Sequence, residues 1–344
     1  MRVAVDIEHG VLGGGGLVLA RVPSAVYRVF EVASKGHRFW SIGFSGGKDS
    51  SVVVDLALRY LLEARNHPDK VIIVYADTLL DPPPIRYYAL QVINSINRLA
   101  EKHGLPVEAV VVEPRESLVE MVLVKGYPAP SPHFRWCTDR WKIRPVREAL
   151  QRMLGRWTSG ELAVISGVRD GEAPHRRRRA SQDPWIIRRD SLGGVSYAPL
   201  QNWRTHDVWN WILSHKPVWQ DPDWKQLRRV YGGGNLRIGC WVCTLITREK
   251  CWKQLAQRGI IDRQAYNSLM RWKQLYIHMC RIEPEKWREK KKHNRRLKYH
   301  YGKLTAEARR ILAHELKKLA ENPTLHNILE PLTKRLAKIQ EIAK

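Results

Sequence analysis

Short apolar segments alternate with helical segments between residues 39 and 112, and this alternation restricts the fold more than any other feature of the sequence. Residues 50–64 and 85–104 carry apolar residues at helical spacing. Strands that alternate with helices form parallel sheets with right-handed crossovers, so we predict an α/β fold with a Rossmann-like parallel sheet. The predicted strands are "FWSIGF" (39–44), "KVIIVYADT" (70–78), "VEAVVVEP" (107–114) and "ELAVISGVR" (161–169).

The segment "FSGGKDSS" (44–51) lies between the first strand and the helix that follows it. Gly46 and Gly47 let backbone N–H groups approach a phosphate chain, and the helix N-terminus adds partial positive charge. Asp49 suits either a helix cap or an oxygen ligand of Mg²⁺. The spacing is not that of a Walker A loop. The other polar side chains of this predicted phosphate loop are Lys48, Ser45, Ser50 and Ser51.

This loop resembles the PP-loop, S-G-G-x-D-S, of the N-type ATP pyrophosphatases. The resemblance implies an adenine-nucleotide alpha hydrolase-like fold, bound ATP, and release of pyrophosphate when a substrate is adenylated. It also implies that Asp77 and Thr78, which end the second strand, contact the nucleotide. Ligands bind beyond the carboxyl ends of strands in such sheets, which agrees with this position.

The segment "GVRDGEAPHRRRRA" (167–180) resembles the G-x-R-x-x-E-x-x-x-R segment of relatives of phosphoadenosine phosphosulfate reductase. The matching positions are Gly167, Arg169, Glu172 and Arg176, and guanidinium groups suit phosphate oxygens. The resemblance implies that Gly167, Arg169 and Glu172 bind the nucleotide. It further implies that Arg169 and Arg176 act in catalysis with Lys48 and Asp49. A later segment, residues 197–212, resembles P-[IL]-x-x-W-x-x-x-D-V-W of the same superfamily, and we expect its tryptophans to pack in the core.

Two cysteines, Cys240 and Cys243, stand three residues apart in "RIGCWVCTL" (237–245). From the residues alone, the pair suits a cluster or zinc site, a redox pair, or two packed thiols. Together with "KGYPAPSPHFRWCTDRWKI" (125–143), it resembles the DndC-type DNA phosphorothioation proteins, which combine a PP-loop with an iron–sulfur cluster. That resemblance covers roughly residues 40–250.

The resemblance implies a cluster, [4Fe–4S] in type, ligated by Cys137, Cys240 and Cys243, with Cys251 as the nearest candidate for the fourth ligand. Relatives carry a further cysteine just before the C-x-x-C, and this sequence has none there. Cys280, an outside thiol or an open iron site are therefore alternatives for the fourth position. Zinc is the alternative metal.

The formal net charge of +25 predicts a polyanionic partner. Five cysteines do not resemble a secreted disulfide framework, and no apolar run has the length of a membrane span, so we expect a cytoplasmic protein without membrane contact. We expect four segments: an N-terminal extension, thought to be rich in β structure, a PP-loop domain, a cysteine-containing helical region and a basic helical region. Their bounds are 1–36, 37–215, 216–284 and 285–344.

The combined expectation is an ATP-dependent sulfur transferase that adenylates an acceptor and inserts sulfur into nucleic acid. DNA is preferred by resemblance, and the sulfur donor would be a protein such as a cysteine desulfurase. The alternatives are a transfer RNA thiolation enzyme, a phosphoadenosine or adenosine phosphosulfate reductase, and a non-enzymatic module that binds nucleic acid under nucleotide control. Oligomer formation stays open.

Overall fold

The computed structural model describes residues 20–169, 186–187, 190–232, 234, 236–246, 249–290 and 301–336. The chain divides into two compact units that alternate along the sequence. The first contains residues 1–76, 84–112 and 146–235, and the second contains residues 77–83, 113–145 and 236–344. The predicted binding residues Glu172 and Arg176 lie outside the described residues, as do the neighbouring arginines 177–179.

A six-stranded sheet forms the centre of the first unit, in the order β3-β2-β1-β4-β6-β5. All neighbours pair in parallel except β5 and β6, which pair antiparallel. The predicted α/β fold with a parallel sheet is confirmed. The strands are β1 Phe39–Phe44, β2 Lys70–Ala76, β3 Val107–Val112, β4 Leu162–Ile165, β5 Ile186–Ile187 and β6 Val195–Tyr197.

Helices connect these strands and form most of the second unit. The first-unit helices that the sequence predicted are confirmed, because α2 and α3 follow β1 and β2 as the apolar spacing indicates. The helices are α1 Ser24–Gly36, α2 Lys48–Glu63, α3 Pro83–His103, α4 Trp136–Thr138, α5 Arg144–Leu154, α6 Thr205–Ser214, α7 Trp224–Tyr231, α8 Cys251–Gln257, α9 Arg263–Ile277, α10 Pro284–Trp287, α11 Ala306–Ala320 and α12 His326–Leu336. Within the described ranges, π-helical segments also occur at Val119–Val124, Asp139–Ile143 and His278–Ile282.

The order in which the chain adds strands to the sheet reverses between β1 and β4. The chain adds β2 and β3 on one side of β1, then returns to add β4 and β6 on the other. The carboxyl ends of β1 and β4 are therefore adjacent, and this is the topological switch point where open α/β sheets bind ligands. The loop from Ser45 to Gly47 follows β1, and residues 166–169 follow β4.

Buried apolar residues on the strands and flanking helices hold the first unit together. One cluster joins Ile72, Val74 and Val112 of the sheet to Leu150 of α5. Each of these side chains is nearly or fully buried. Burial of apolar surface on folding stabilises the unit by about 25 cal/mol per Å².

The structure corrects the expectation of a β-rich extension, because residues 24–36 form helix α1. Its buried residues, Val26, Val29, Phe30 and Ala33, follow the i, i+3, i+4, i+7 spacing of one helix face. Phe30 stacks on Trp40 of β1 at 5.9 Å between ring centroids. The Gly-rich stretch at residues 13–16 lies outside the described residues.

The second unit packs helices around aromatic side chains. Trp272 of α9 donates its indole N–H to the Leu312 carbonyl of α11 at 2.9 Å, and Tyr276 donates its hydroxyl to the Tyr127 carbonyl at 2.9 Å. Within the described part of the chain, no helix is long and apolar enough to cross a membrane.

Residues 287–303 were expected to be helical, and here the structure differs. Arg288–Lys290 form strand β7, which pairs antiparallel with β8, Tyr301–Leu304. The guanidinium of Arg288 donates to the carbonyl of Gly302, which draws the two strands together. Gly302 and Leu304 are buried while Lys303 is exposed, so burial alternates with the period of two of a strand. The many charged residues nearby made this alternation hard to recognise in the sequence.

Candidate functional site

The loop between β1 and α2 has a backbone shape at its centre that favours glycine. Gly46 has φ of +68°, and an added Cβ would lie 3.0 to 3.2 Å from atoms of Ala89 and Ile85 on α3. The side chain of Ser50 closes the loop, because its Oγ accepts from Ser45 N at 3.1 Å and donates to the Gly47 carbonyl at 3.0 Å. The loop backbone is thereby fixed at the N-terminus of α2 without any ligand.

Two buried cations meet one carboxylate beside this loop. Nζ of Lys48 lies 2.6 Å from Oδ2 of Asp49, and Nε of Arg169 lies 2.7 Å from Oδ1 of the same residue. The side chains of Lys48 and Arg169 are 3% and 4% exposed, so their charges are poorly screened by water. Arg169 also donates to the hydroxyl of Thr205 at 3.3 Å. The arrangement concentrates positive charge where α2 begins.

Gly167 brings the segment after β4 against the loop. A Cβ at this position would lie 3.0 Å from the carbonyl carbon and oxygen of Asp49 and 3.1 Å from the Ser50 nitrogen. Glycine is required here for a close approach of two backbones, and the binding role predicted for Gly167 stays a prediction. The structure therefore brings together Ser45, Gly46, Gly47, Lys48, Asp49, Ser50, Gly167 and Arg169 of the predicted site. Ser51 is buried in the first turn of α2.

Tyr231, which the sequence analysis missed, also belongs to this loop. Its hydroxyl oxygen accepts a hydrogen bond from the backbone N–H of Lys48 at 3.1 Å, and Nζ of Lys48 lies 5.6 Å from the centroid of its ring. Tyr231 is the last residue of α7, and Gly232 ends the helix in the left-handed conformation. The glycines after Tyr231 predict a helix end, but nothing in the sequence connects that end to the loop.

Asp77 and Thr78 follow β2 directly and form a turn in the second unit. Oδ1 of Asp77 accepts from Leu79 N at 2.9 Å, and the hydroxyl of Thr78 donates to Asp81 at 3.0 Å. Leu79 has φ of +64°, so the chain bends sharply there. Both predicted nucleotide-contacting side chains are buried in this turn.

Three cysteines line one cavity inside the second unit. Cys137, which lies in α4, shares a small cavity with Cys240 and Cys243 of the C-x-x-C. The Cys240 carbonyl accepts from Cys243 N at 3.0 Å, which gives the pair a tight turn. The rest of the lining is mostly apolar and aromatic, and it includes Leu118, Val122, Trp136, Trp141, Val242 and Tyr276.

The three thiols differ in their acidity. A hydrogen bond from Cys240 lowers the pKa of Cys243 to about 6, and this outweighs the effect of burial. The same hydrogen bond, with burial, raises the pKa of Cys240. Burial and the nearby Cys243 raise the pKa of Cys137. The pair thus favours one thiolate beside one thiol, and thiolates are the form that binds soft metals.

The remaining two cysteines are not among the described residues that line this cavity. Cys251, the predicted fourth ligand, is buried at the start of α8, and burial raises its pKa to about 12. Cys280 accepts a hydrogen bond at its sulfur from Ala129 N at 3.2 Å, and burial raises its pKa to about 11. Within the described ranges, no group of three or more His, Cys, Asp or Glu side chains is placed to hold one metal ion.

Lys273 is a second residue that the sequence analysis missed. It lies on α9, is 3% exposed, and interacts electrostatically with Cys243, Glu249 and Cys240. Burial lowers its pKa. Its position was visible in the sequence, because residues 265, 269, 272, 273 and 276 form one buried stripe of the helix. A lysine on the apolar stripe of a helix could have indicated a buried functional charge, but the motifs alone did not include it.

Comparison with known proteins gives one family match. A model described as the phosphoadenosine phosphosulfate reductase domain matches residues 40–246. An adenosine 5'-phosphosulfate reductase of Geobacillus thermodenitrificans is 28% identical over 108 residues, covering 31% of this chain and 37% of that enzyme. The crystal structure of phosphoadenylyl-sulfate reductase from Candida auris, a phosphate complex, has a TM-score of 0.39 and 19% identity, covering 64% of this chain and 90% of the other.

Two uncharacterized proteins of Methanocaldococcus jannaschii are also similar. One is 24% identical over 285 residues, covering 78% of this chain and 58% of its own length. The other is 23% identical over 205 residues, covering 59% of this chain and 35% of its own length. The chain therefore corresponds to only part of each of these relatives.

Proposed function

The chain belongs to the phosphoadenosine phosphosulfate reductase family, because the family's domain matches more than half of it, and we propose that it is an ATP-dependent sulfur transferase. The family is one of enzymes that act in nucleotide-dependent sulfur chemistry. The observation that carries the finer proposal is the intact loop, residues 45–50, with the buried cations Lys48 and Arg169 beside it. The resemblance of this loop to the intact S-G-G-x-D-S of the ATP pyrophosphatases supports ATP as its ligand.

In the proposed first step, an acceptor oxygen attacks the α-phosphorus of ATP. A bond forms between this oxygen and the α-phosphorus, the bond from the α-phosphorus to the bridging oxygen breaks, and pyrophosphate leaves. Lys48, Arg169 and the N–H groups at the start of α2 offset the charge that develops on the leaving pyrophosphate. Asp49 keeps Lys48 and Arg169 in place. Mg²⁺ would be held chiefly by the phosphates, because both oxygens of Asp49 face Lys48 and Arg169.

The cysteine cavity fits the proposed iron–sulfur cluster in its donor set. Three soft sulfur donors line one apolar cavity, and the hydrogen bond from Cys240 lowers the pKa of Cys243, which favours its thiolate. When bound, the cluster would supply or hold sulfur. The apolar lining would keep water away from the sulfur, and Lys273 would offset negative charge near Cys243.

We propose nucleic acid as the acceptor, with DNA preferred over transfer RNA. The net charge of +25 supports a polyanionic acceptor, because lysine and arginine gain affinity for phosphates by releasing counterions. After adenylation, a sulfur nucleophile would displace AMP from the activated phosphorus, so that sulfur replaces a non-bridging oxygen. A protein such as a cysteine desulfurase would supply the sulfur as a persulfide, and a thiol reductant would provide the two electrons that release it at the sulfide level.

Release of pyrophosphate from ATP tests this proposal. Anaerobically purified protein is assayed with no addition, with duplex DNA, and with transfer RNA. We expect release that depends on one of the two nucleic acids. Absence of pyrophosphate in all three assays would contradict the proposal. An increase with transfer RNA alone would retain the transferase and change its acceptor.

The second candidate is a reductase of adenosine 5'-phosphosulfate or its 3'-phosphorylated form. The similarity to the Geobacillus enzyme over 108 residues favours it. This candidate predicts sulfite release from the phosphosulfate with a thiol reductant, and no pyrophosphate from ATP. The two assays on the same preparation therefore distinguish the candidates.

A further inference from the structure

The hydroxyl of Tyr231 occupies the N-terminus of α2. Its oxygen accepts from the Lys48 N–H at 3.1 Å, and a Cβ added to Gly47 would lie 3.2 Å from the same oxygen. The first N–H groups of a helix have no partner within the helix and are the groups that bind phosphate in nucleotide sites. The phenol therefore stands where a phosphate oxygen of a bound nucleotide would receive a hydrogen bond.

Neighbouring aromatic and charged groups hold Tyr231 in this place. The residue is 4% exposed, and the edge of Trp209 meets its ring at 5.5 Å between centroids and an interplanar angle of 78°. The ammonium of Lys48 lies 5.6 Å from the ring centroid, which adds a cation–π attraction. α7 ends at this residue with a left-handed Gly232. Contacts within the first unit therefore hold Tyr231 against the loop.

We propose that Tyr231 guards the phosphate loop, and that the polyphosphate of the nucleotide displaces its hydroxyl from the Lys48 N–H. A backbone N–H has a single hydrogen, so it cannot serve the phenol and a phosphate at full strength. An ionised phosphate oxygen is the stronger acceptor, and hydrogen bonds to it are roughly twice as strong as neutral ones. The polyphosphate therefore displaces the phenol. Without a ligand, the Lys48 N–H keeps the Tyr231 hydroxyl as its hydrogen-bond partner.

This inference rests on the proposed function of the loop and predicts a gain in affinity. Displacing a neutral hydrogen bond costs about 0.5 to 1.5 kcal/mol. The variant Tyr231→Phe keeps the ring and removes the competing oxygen. We therefore expect it to bind pyrophosphate and ATP about two- to tenfold more tightly, with a faster association rate. Without ligand, it should unfold at a lower temperature than the wild type, because the Lys48 N–H loses its partner.

Calorimetric titration with pyrophosphate and with ATP, and stopped-flow association, measure these changes. Tyr197→Phe is the matched control, because its hydroxyl pairs with Nε2 of His37 at 2.8 Å, at the carboxyl end of β6 and not at the N-terminus of α2. We expect this control to bind as the wild type does. Tyr231→Leu, a second variant without the acceptor, should shift the affinity in the same direction as Tyr231→Phe.

The outcomes separate the two proposals. Wild-type binding with unchanged or weaker binding by both Tyr231 variants would overturn the guarding role and leave the ATP site intact. Failure of the wild type to bind either pyrophosphate or ATP would overturn the proposed function and this inference with it. A merely structural role of Tyr231 would lower stability without raising the association rate, and would therefore also count against the inference.

Discussion

Arg169 and Asp49 form a buried ion pair, with Nε of the first 2.7 Å from Oδ1 of the second. The pair joins the segment after β4 to the first turn of α2, across the switch point of the sheet. Because Asp49 also meets Lys48 at 2.6 Å, one carboxylate orients both cations of the loop. The loop thus keeps its positive groups in position before any phosphate arrives.

Replacing Arg169 by lysine is expected to lower pyrophosphate release roughly a hundredfold, as the loss of one donor to a developing charge typically does. Lysine keeps the charge but loses the planar fork that reaches Asp49 and Thr205 together. The measurement is the rate of pyrophosphate release at saturating ATP. Arg38→Lys is the control, because the ion pairs of Arg38 with Asp69 and Glu161 are at the surface. An unchanged rate in Arg169→Lys would refute the role given to the guanidinium.

Adding a methyl group at Gly167 is expected to displace the loop. The new Cβ would lie 3.0 Å from backbone atoms of Asp49, and backbone cannot turn aside as a side chain can. Overpacking of this kind costs about 1 to 3 kcal/mol of unfolding free energy, and binding of pyrophosphate should weaken with it. Gly160→Ala is the matched control ahead of β4, since nothing lies within 4 Å of its added Cβ. Equal stability and affinity in the two variants would contradict the close approach.

Single Cys→Ser changes are expected to divide the cysteines into two classes. Changes at Cys137, Cys240 or Cys243 should abolish the broad visible absorbance of an iron–sulfur cluster, since each removes a thiolate from the cavity. Cys280→Ser is the control and should keep the absorbance, because the Cys280 sulfur accepts from Ala129 N. Iron and sulfide analysis of anaerobically purified protein provides the measurement. Colourless wild-type protein with stoichiometric zinc would exclude the cluster.

The same series determines the fourth ligand. If Cys251 rearranges to ligate the cluster, Cys251→Ser should lose the absorbance as the three cavity variants do. If Cys280, an outside thiol or an open position completes the cluster instead, Cys251→Ser should keep the absorbance, and among these only Cys280 would make Cys280→Ser lose it.

Glu120 gives the second unit a pH-dependent contribution to stability. Burial favours its neutral form, but hydrogen bonds from Ser117 and the charge of Arg335 outweigh burial and hold its pKa below the ordinary value. A lowered folded-state pKa means that the stabilisation is complete above the unfolded value of about 4.3. It is then lost as the pH falls through the lower folded value.

We therefore expect Glu120→Gln to lower the unfolding free energy by about 1 kcal/mol at neutral pH, and to reduce the dependence of the unfolding temperature on pH between about 5 and 3. Glu101→Gln, an exposed change on α3, is the control and should retain the wild-type dependence. Thermal unfolding at a series of pH values tests this, and parallel curves for Glu120→Gln and wild type would show that the carboxylate contributes nothing.

The sequence predicts the sheet and its loop well because their signals are local. Apolar runs of strand length, the two glycines of the loop and the helix after Lys48 all appear at their observed places. Gly167 and Arg169 were also predicted, and the structure adds that both meet Asp49. Local pattern and sheet topology together are enough to bring these residues to one edge.

Residues that reach the sites from distant elements could not be predicted in the same way. Tyr231 contacts the loop only because α7 ends beside α2, a tertiary relationship without a sequence pattern. Lys273 was visible as a charge on an apolar stripe, yet its neighbours Cys240 and Cys243 come from another segment. The strand pair β7 and β8 was missed because dense charge obscured a period of two.

The rigidity of the loop has a thermodynamic consequence. Gly46 packs closely against α3, and the hydroxyl of Ser50 forms hydrogen bonds with the backbone of Ser45 and of Gly47. A ligand that binds here does not have to order a flexible segment, so little conformational entropy of the backbone is lost on association. The affinity of the loop for a polyphosphate is then set by charge and hydrogen bonds alone, and a small nucleotide can bind without a large closing motion of residues 45–50.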